Sequence, residues 1–154
     1  MEWLDRLNQS ISYIEDKLTG EIDIEKAAKI ACCSSFHFQR MFSYIASVSL
    51  AEYIRRRRMT LAAFELQNSD IKIIDLAIKY GYDSPTSFSR AFQNVHGVPP
   101  SAAKGEGIVL KAHPRMTFLI SIKGYEEVLN QKVEMDFGAN ITFEKAFSLQ
   151  TKDT

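Results

Sequence analysis

As far as about residue 100, apolar positions recur along this chain with helical rather than strand spacing, and one stretch of the pattern occurs twice. In the later copy Ile73, Leu76, Ala77 and Tyr80 fall on one side of a short helix over about Ile73 to Tyr80. Phe88, Phe92 and Val95, at i, i+4 and i+7, form the buried stripe of a second. Subtracting 50 carries Ala77, Gly81, Ser84, Phe88, Arg90, Phe92 and Val98 onto Ala27, Ala31, Ser34, Phe38, Arg40, Phe42 and Val48. Each copy therefore reads as a helix-turn-helix.

Punctuation supports the pattern. Gly81 follows the last periodic residue, where the chain needs a left-handed backbone. Ser84 offers an N-cap oxygen and Pro85 fits the first helical position, so the second helix starts at Ser84. Thr86, Ser87, Ser89, Arg90 and Gln93 are left toward the outside. In the first copy Asp23 caps a helix Ile24 to Ala31, Ser34 caps the next, and Phe38, Phe42 and Ile45 are its buried stripe. His37, Gln39, Arg40 and Ser43 remain outside. Gln and Arg match adenine and guanine edges in the major groove, so Gln39 and Arg40 suit direct base readout.

Ahead of the first copy, Trp3, Leu4, Leu7, Ile11, Ile14 and Leu18 make the apolar stripe of an acidic N-terminal helix packed on that copy. The stretch from Arg58 to Pro100, with its Gly-aromatic turn, "FSRAF" helix and closing "GVPPS", resembles the signature of the AraC/XylS transcriptional regulators, and "IEKAAKIACCSSFHFQRMF" looks like the first helix-turn-helix of that family. The resemblance covers about residues 5 to 104. It implies a mainly α fold, two helix-turn-helix subdomains (about 24–46 and 73–96) joined by a linker helix (about 50–67). It also implies two recognition helices entering major-groove segments about one helical turn, roughly 34 Å, apart.

Carried over by position, the family's base-contacting places fall on Phe36, Gln39 and Arg40 in the first recognition helix and on Pro85, Thr86, Ser89 and Arg90 in the second. Phosphate contacts are expected from Ser34, His37, Arg55, Arg57, Ser84, Ser87 and Gln93. Phe36 has two readings: an apolar contact to a thymine methyl, or a turn residue packed on Tyr44 or the linker helix. Pro85 and Thr86 offer little hydrogen bonding, so the first subdomain is expected to carry more sequence information. Double-stranded DNA and RNA polymerase are the expected partners, with a shortened antagonist that occupies DNA or pairs with a relative as the alternative output.

Charge refines this picture. Nineteen Lys plus Arg balance nineteen Asp plus Glu, so phosphate binding requires segregated charge. Arg55 to Arg58 is the evident basic cluster, yet four consecutive helix positions sweep about 300 degrees and cannot all face one phosphate row. Arg55 and Arg57 are read toward DNA and Arg58 toward an acid such as Asp75; the other reading is a solvated charge run.

Composition, 45% hydrophobic and 25% charged, fits one core or two small ones. No apolar run nears the ~20 residues of a membrane span and the N-terminus lacks signal-peptide character, so a cytoplasmic protein is expected. Cys32 and Cys33 are adjacent in the first turn and read as structural. His37, His96 and His113 fall in no catalytic or metal constellation, His96 being read as a partner for a helix dipole; neither enzyme activity, cofactor nor metal is expected. After Pro100, "SAAKGEG" reads as a short closing helix and linker, and alternation over Met116 to Ile122 predicts a strand. Residues 105–154 thus form a short β-containing extension, similar to the start of a gyrase-inhibitor-like effector domain but too short for a ligand cavity. Its tail reads as a short helix and one or two more strands. A piece of a longer chain, a naturally short regulator, and a tail that self-associates through its strands all fit that length.

Overall fold

The computed structural model describes residues 2–105, 107–123, 132–135 and 139–142, with side chains described as far as Ile120. Six helices are present among them: α1 (Glu2–Asp16), α2 (Ile24–Ile30), α3 (Ser35–Ala46), α4 (Leu50–Asn68), α5 (Ile73–Lys79) and α6 (Pro85–His96). A single 3-10 turn, Pro100–Ala102, closes the helical part. Beyond it the backbone forms three antiparallel strands in the order β1 (Ile120–Lys123), β2 (Lys132–Met135), β3 (Ala139–Thr142), with Ile120 opposite Met135 and Met135 opposite Ala139. No described helix is long and apolar enough to cross a membrane. The helix expected in the tail lies outside the described residues.

The described chain gathers into two compact units. The first takes α1 as far as Tyr13, then Ile24–Leu50 with α2 and α3, and the chain from Met116. Its buried apolar residues are Leu7, Ile11, Ala27, Ala28, Phe38, Phe42, Ile45, Leu50 and Phe118. Helices α1 and α2 are joined where the buried Ser10 hydroxyl donates to the Ala27 carbonyl at 2.6 Å. The strand read over Met116 to Ile122 begins only at Ile120, because Phe118 turns into this core and its backbone is bound by a side chain rather than by a neighbouring strand.

The second unit takes Ile14–Asp23 and Ala51–Arg115. Met59, Ala62, Ala63 and Leu66 of α4 pack with Leu76, Ala77 and Tyr80 around α5, and with Phe88, Ala91, Phe92 and Val95 of α6. Ala103 joins them, and Leu110 packs on the edge, so the residues after the 3-10 turn return to this core. The Tyr80 hydroxyl donates to Glu65 Oε1 at 2.5 Å while Lys79 pairs with the same carboxylate. Burial and this carboxylate push the Tyr80 hydroxyl's pKa well up.

The two helix-turn-helices are built alike, with one correction to their register. In the first, Cys33 N–H bonds to the Ala28 carbonyl and Cys32 N–H to that of Lys29, both at 3.0 Å. In the second, Tyr82 N–H bonds to Ala77 at 2.9 Å and Gly81 N–H to Ile78 at 3.1 Å. This is the paired 6→1 and 5→2 closure of a helix ending in a left-handed residue. Cys32 is thus the counterpart of Gly81, and Ala28 that of Ala77, an offset of 49 in the first helices. From Ser34 and Ser84 onward the offset is 50. The second turn contains one more residue, Asp83, and the assignment of Ala27 to Ala77 and of Ala31 to Gly81 is superseded.

Candidate nucleic-acid interface

Helix α3 starts on a capped end. The Ser34 hydroxyl oxygen accepts from the His37 N–H at 3.1 Å, and the Ser35 hydroxyl donates to Glu25 of α2 at 2.9 Å. Phe38 and Phe42 are fully buried, so positions between them turn outward. Gln39 and Arg40 are exposed, Gln39 lending its amide to the Ser35 carbonyl at 3.3 Å. Phe36 is 73% exposed, so most of its ring faces solvent. His37 is half-buried.

Helix α6 repeats the plan. Ser84 caps it by accepting from the Ser87 N–H at 3.1 Å, Pro85 opens the first turn, and Phe88 and Phe92 are fully buried. Pro85, Thr86, Arg90 and Gln93 are exposed, while Ser84, Ser87 and Ser89 are half-buried. The Ser84 and Ser87 hydroxyls lie 3.1 Å apart, and Ser87 Oγ donates to the Ser84 carbonyl at 3.0 Å. Both are largely satisfied by one another, and the Ser87 and Phe88 N–H groups are likewise taken up by Ser84. Among the described residues neither Arg40 nor Arg90 makes an ion pair.

The basic run on α4 diverges. Glu52 takes both Arg55 (2.5 Å) and Arg56 (2.9 Å), and these two arginines hold its carboxyl below the ordinary value against the opposing effect of burial. Arg57 does not face phosphate as expected: it is 9% exposed, its Nε and Nη2 grip the two oxygens of Glu15 at 2.8 and 2.9 Å, and its Nη1 donates to the His113 carbonyl at 2.7 Å. The same Glu15 accepts from the Tyr53 hydroxyl at 2.5 Å. A bidentate guanidinium–carboxylate pair that is largely buried is held more firmly than an exposed one, and the hydrogen bonds and charge of Glu15 raise the Arg57 pKa against the opposing effect of burial. Arg58 does not reach Asp75. It donates to the Leu18 carbonyl at 2.9 Å and the Gly20 carbonyl at 2.7 Å, groups left without partners after α1 ends, and burial pushes its pKa down.

His96 is also recast. Although it ends α6, it is 5% exposed, its Nε2–H donates to the Met59 carbonyl at 2.8 Å, and its ring lies 4.4 Å from that of Phe92. Burial pushes its pKa down, so near neutral pH the ring is uncharged and cannot serve the helix dipole. Sequence spacing pointed to Ser34, Ser84 and both exposed arginines. It holds no signal for Glu15 or for the carbonyls that claim Arg57 and Arg58, since those partnerships arise from packing between distant segments; Glu52, three and four residues ahead of Arg55 and Arg56 on one helix, has the local spacing of an ion pair.

A family model described as a helix-turn-helix domain matches residues 27–105. The HTH-type transcriptional activator AarP of Providencia stuartii is 38% identical over 95 residues, covering 62% of this chain and 70% of that protein. The multiple antibiotic resistance protein MarA of Escherichia coli is 37% identical over 94 residues, 61% and 74% of the respective chains. Among solved structures, an AraC-type regulator from Chromobacterium violaceum superposes with a TM-score of 0.60 at 19% identity, over 65% of this chain and 89% of that one. The DNA-binding domain of AdpA, solved in complex with a target DNA, gives 0.58 at 23% identity over 64% and 88%. These two share the fold.

Proposed function

This chain belongs to the AraC/XylS family of helix-turn-helix, DNA-binding transcription regulators, and we propose that it reads two major-groove segments of one DNA site, one with α3 and one with α6. The observation that carries this is the matched build of the two helices. Each opens on a serine cap, buries a Phe-x-x-x-Phe stripe, and leaves an arginine exposed between the two phenylalanines. Arg40 with Gln39 would bond purine edges, and Phe36 offers an apolar face to a thymine methyl. In α6, Arg90 is the main base-reading group, with Thr86 and Ser89 beside it and Pro85 as an apolar contact.

Phosphate contacts in this reading come from the N-terminal ends of both helices, around Ser34 and His37 and around Ser84 and Ser87, and from Gln93 and Arg55. Transcription activation is the output we infer, since AarP, the 38%-identical relative, is named an activator. Selection of bound sequences from random DNA followed by footprinting tests the binding mode. Two protected major-groove segments about one turn apart are expected; one protected segment contradicts it.

A further inference from the structure

Phe118 lies beyond the matched helix-turn-helix region and Asn8 lies before it, yet the two meet at the core beneath α3. Asn8 reads the backbone of Phe118 completely: its Nδ2 donates to the Phe118 carbonyl and its Oδ1 accepts the Phe118 N–H, both at 2.8 Å. The ring is 1% exposed and stands edge-on to Phe42, centroids 6.1 Å apart and planes 81° to each other. Phe42 is one of the two phenylalanines whose burial turns Gln39 and Arg40 outward. A pair of hydrogen bonds that fixes one residue's N–H and C=O, plus an edge-to-face ring contact, specifies a position rather than merely filling space.

We propose that Phe118, seated by Asn8, is a positioning residue for recognition by α3: it sets the rotation and depth of the helix through Phe42 and acts on DNA through it. This rests on the reading of α3 as a base-reading helix. The peg is supplied by the segment that leads into β1 only two residues later, so the C-terminal extension is part of the first DNA-reading unit and whatever holds or pulls that extension acts on the first half-site. A residue that supported the fold alone would, when removed, weaken contact at every base pair alike. One that aims α3 affects only the pairs read by α3.

The test uses the full chain in the forms Asn8→Ala, Phe118→Ala and Phe118→Leu, with binding measured on a selected site and on versions of it changed at each base pair in turn. Gln39→Ala and Arg40→Ala identify the pairs read by α3, and Arg90→Ala those read by α6. The expected result is about a tenfold loss of affinity in Asn8→Ala and Phe118→Ala, with discrimination lost at the α3 pairs and kept at the α6 pairs, and recovery of most of both in Phe118→Leu. Equal loss at all pairs, or base preference unchanged beside a lowered melting temperature, overturns the proposal. Should Phe118→Ala fail to fold, Asn8→Ala, which alters a side chain on the flank of α1, decides by the same criterion. If Gln39→Ala and Arg40→Ala shift no base preference, the reading of α3 itself fails and this proposal falls with it; that outcome is distinct from intact α3 readout that ignores Asn8 and Phe118.

Discussion

Cys32 and Gly81 occupy the same left-handed position at the end of the first helix of each helix-turn-helix, with φ of 58° and 79°. Glycine adopts that conformation freely, whereas a residue with a β-carbon is strained there by about 1–2 kcal/mol. The same contrast recurs after the second helices, where Ser47 (φ 57°) stands opposite Gly97 (φ 79°). The first helix-turn-helix therefore carries strain at both of its turns that the second avoids.

Cys32→Gly is expected to stabilise the protein by about 0.5–1 kcal/mol, the strain relief less the extra entropy glycine gives the unfolded chain. The loss of the contact from Arg6 Nη1 to Cys32 Sγ, 3.0 Å and exposed, offsets little of this. Gly81→Ala should destabilise by about 1–2 kcal/mol through backbone strain alone, because a β-carbon at Gly81 would meet the Arg58 guanidinium at an ordinary 3.7 Å. Urea denaturation of the two variants checks both signs.

Arg57→Ala leaves the Glu15 carboxylate buried with only the Tyr53 hydroxyl beside it, and should cost roughly 3–5 kcal/mol. Denaturant melts give the loss. In a variant that still folds, the slope of log affinity against log salt should match the parent's, since this cation is turned away from phosphate.

Much of the helical architecture is legible in the sequence because burial leaves a period. Phe38, Phe42 and Ile45, like Phe88, Phe92 and Val95, announce their stripes, and Ser34 and Ser84 announce where those helices begin. The register slip arose because Ala27 and Ala28 are both small, so either fits under the crossing helix. Only the hydrogen bonds of the turn show that Asp83 is the additional residue. Arg57 with Glu15, and Phe118 with Asn8, are joined across 42 and 110 residues. Neither pairing has a local signature: helical geometry requires that four consecutive arginines diverge, but does not fix which distant group each one meets.

Glu52 restrains Arg55 and Arg56, so Glu52→Gln should release cationic charge near the proposed phosphate contact of Arg55. Affinity for random DNA should rise at low salt, and the log–log salt slope should steepen by about one. Titrations at two or more salt concentrations decide it.

Stability should fall on the acid side of pH 6.5. His96 and His113 both have pKa values pushed down chiefly by burial, from 6.5 in the unfolded chain. Between the lowered folded values and 6.5 the unfolded state binds more protons, so stability rises with pH across that window and is lost as pH drops below 6.5, levelling once pH passes the folded values. His96→Gln should flatten this dependence. Denaturation midpoints followed from pH 8 to pH 5 supply the comparison.

The most direct measurement of the two-helix reading compares Arg40→Ala with Arg90→Ala on a library of variant DNA sites. Each substitution is expected to cost about 1–3 kcal/mol and to relax preference at its own cluster of base pairs, the clusters about ten base pairs apart. Relaxation of the same pairs by both variants, or an even loss on specific and random DNA alike, would contradict the account.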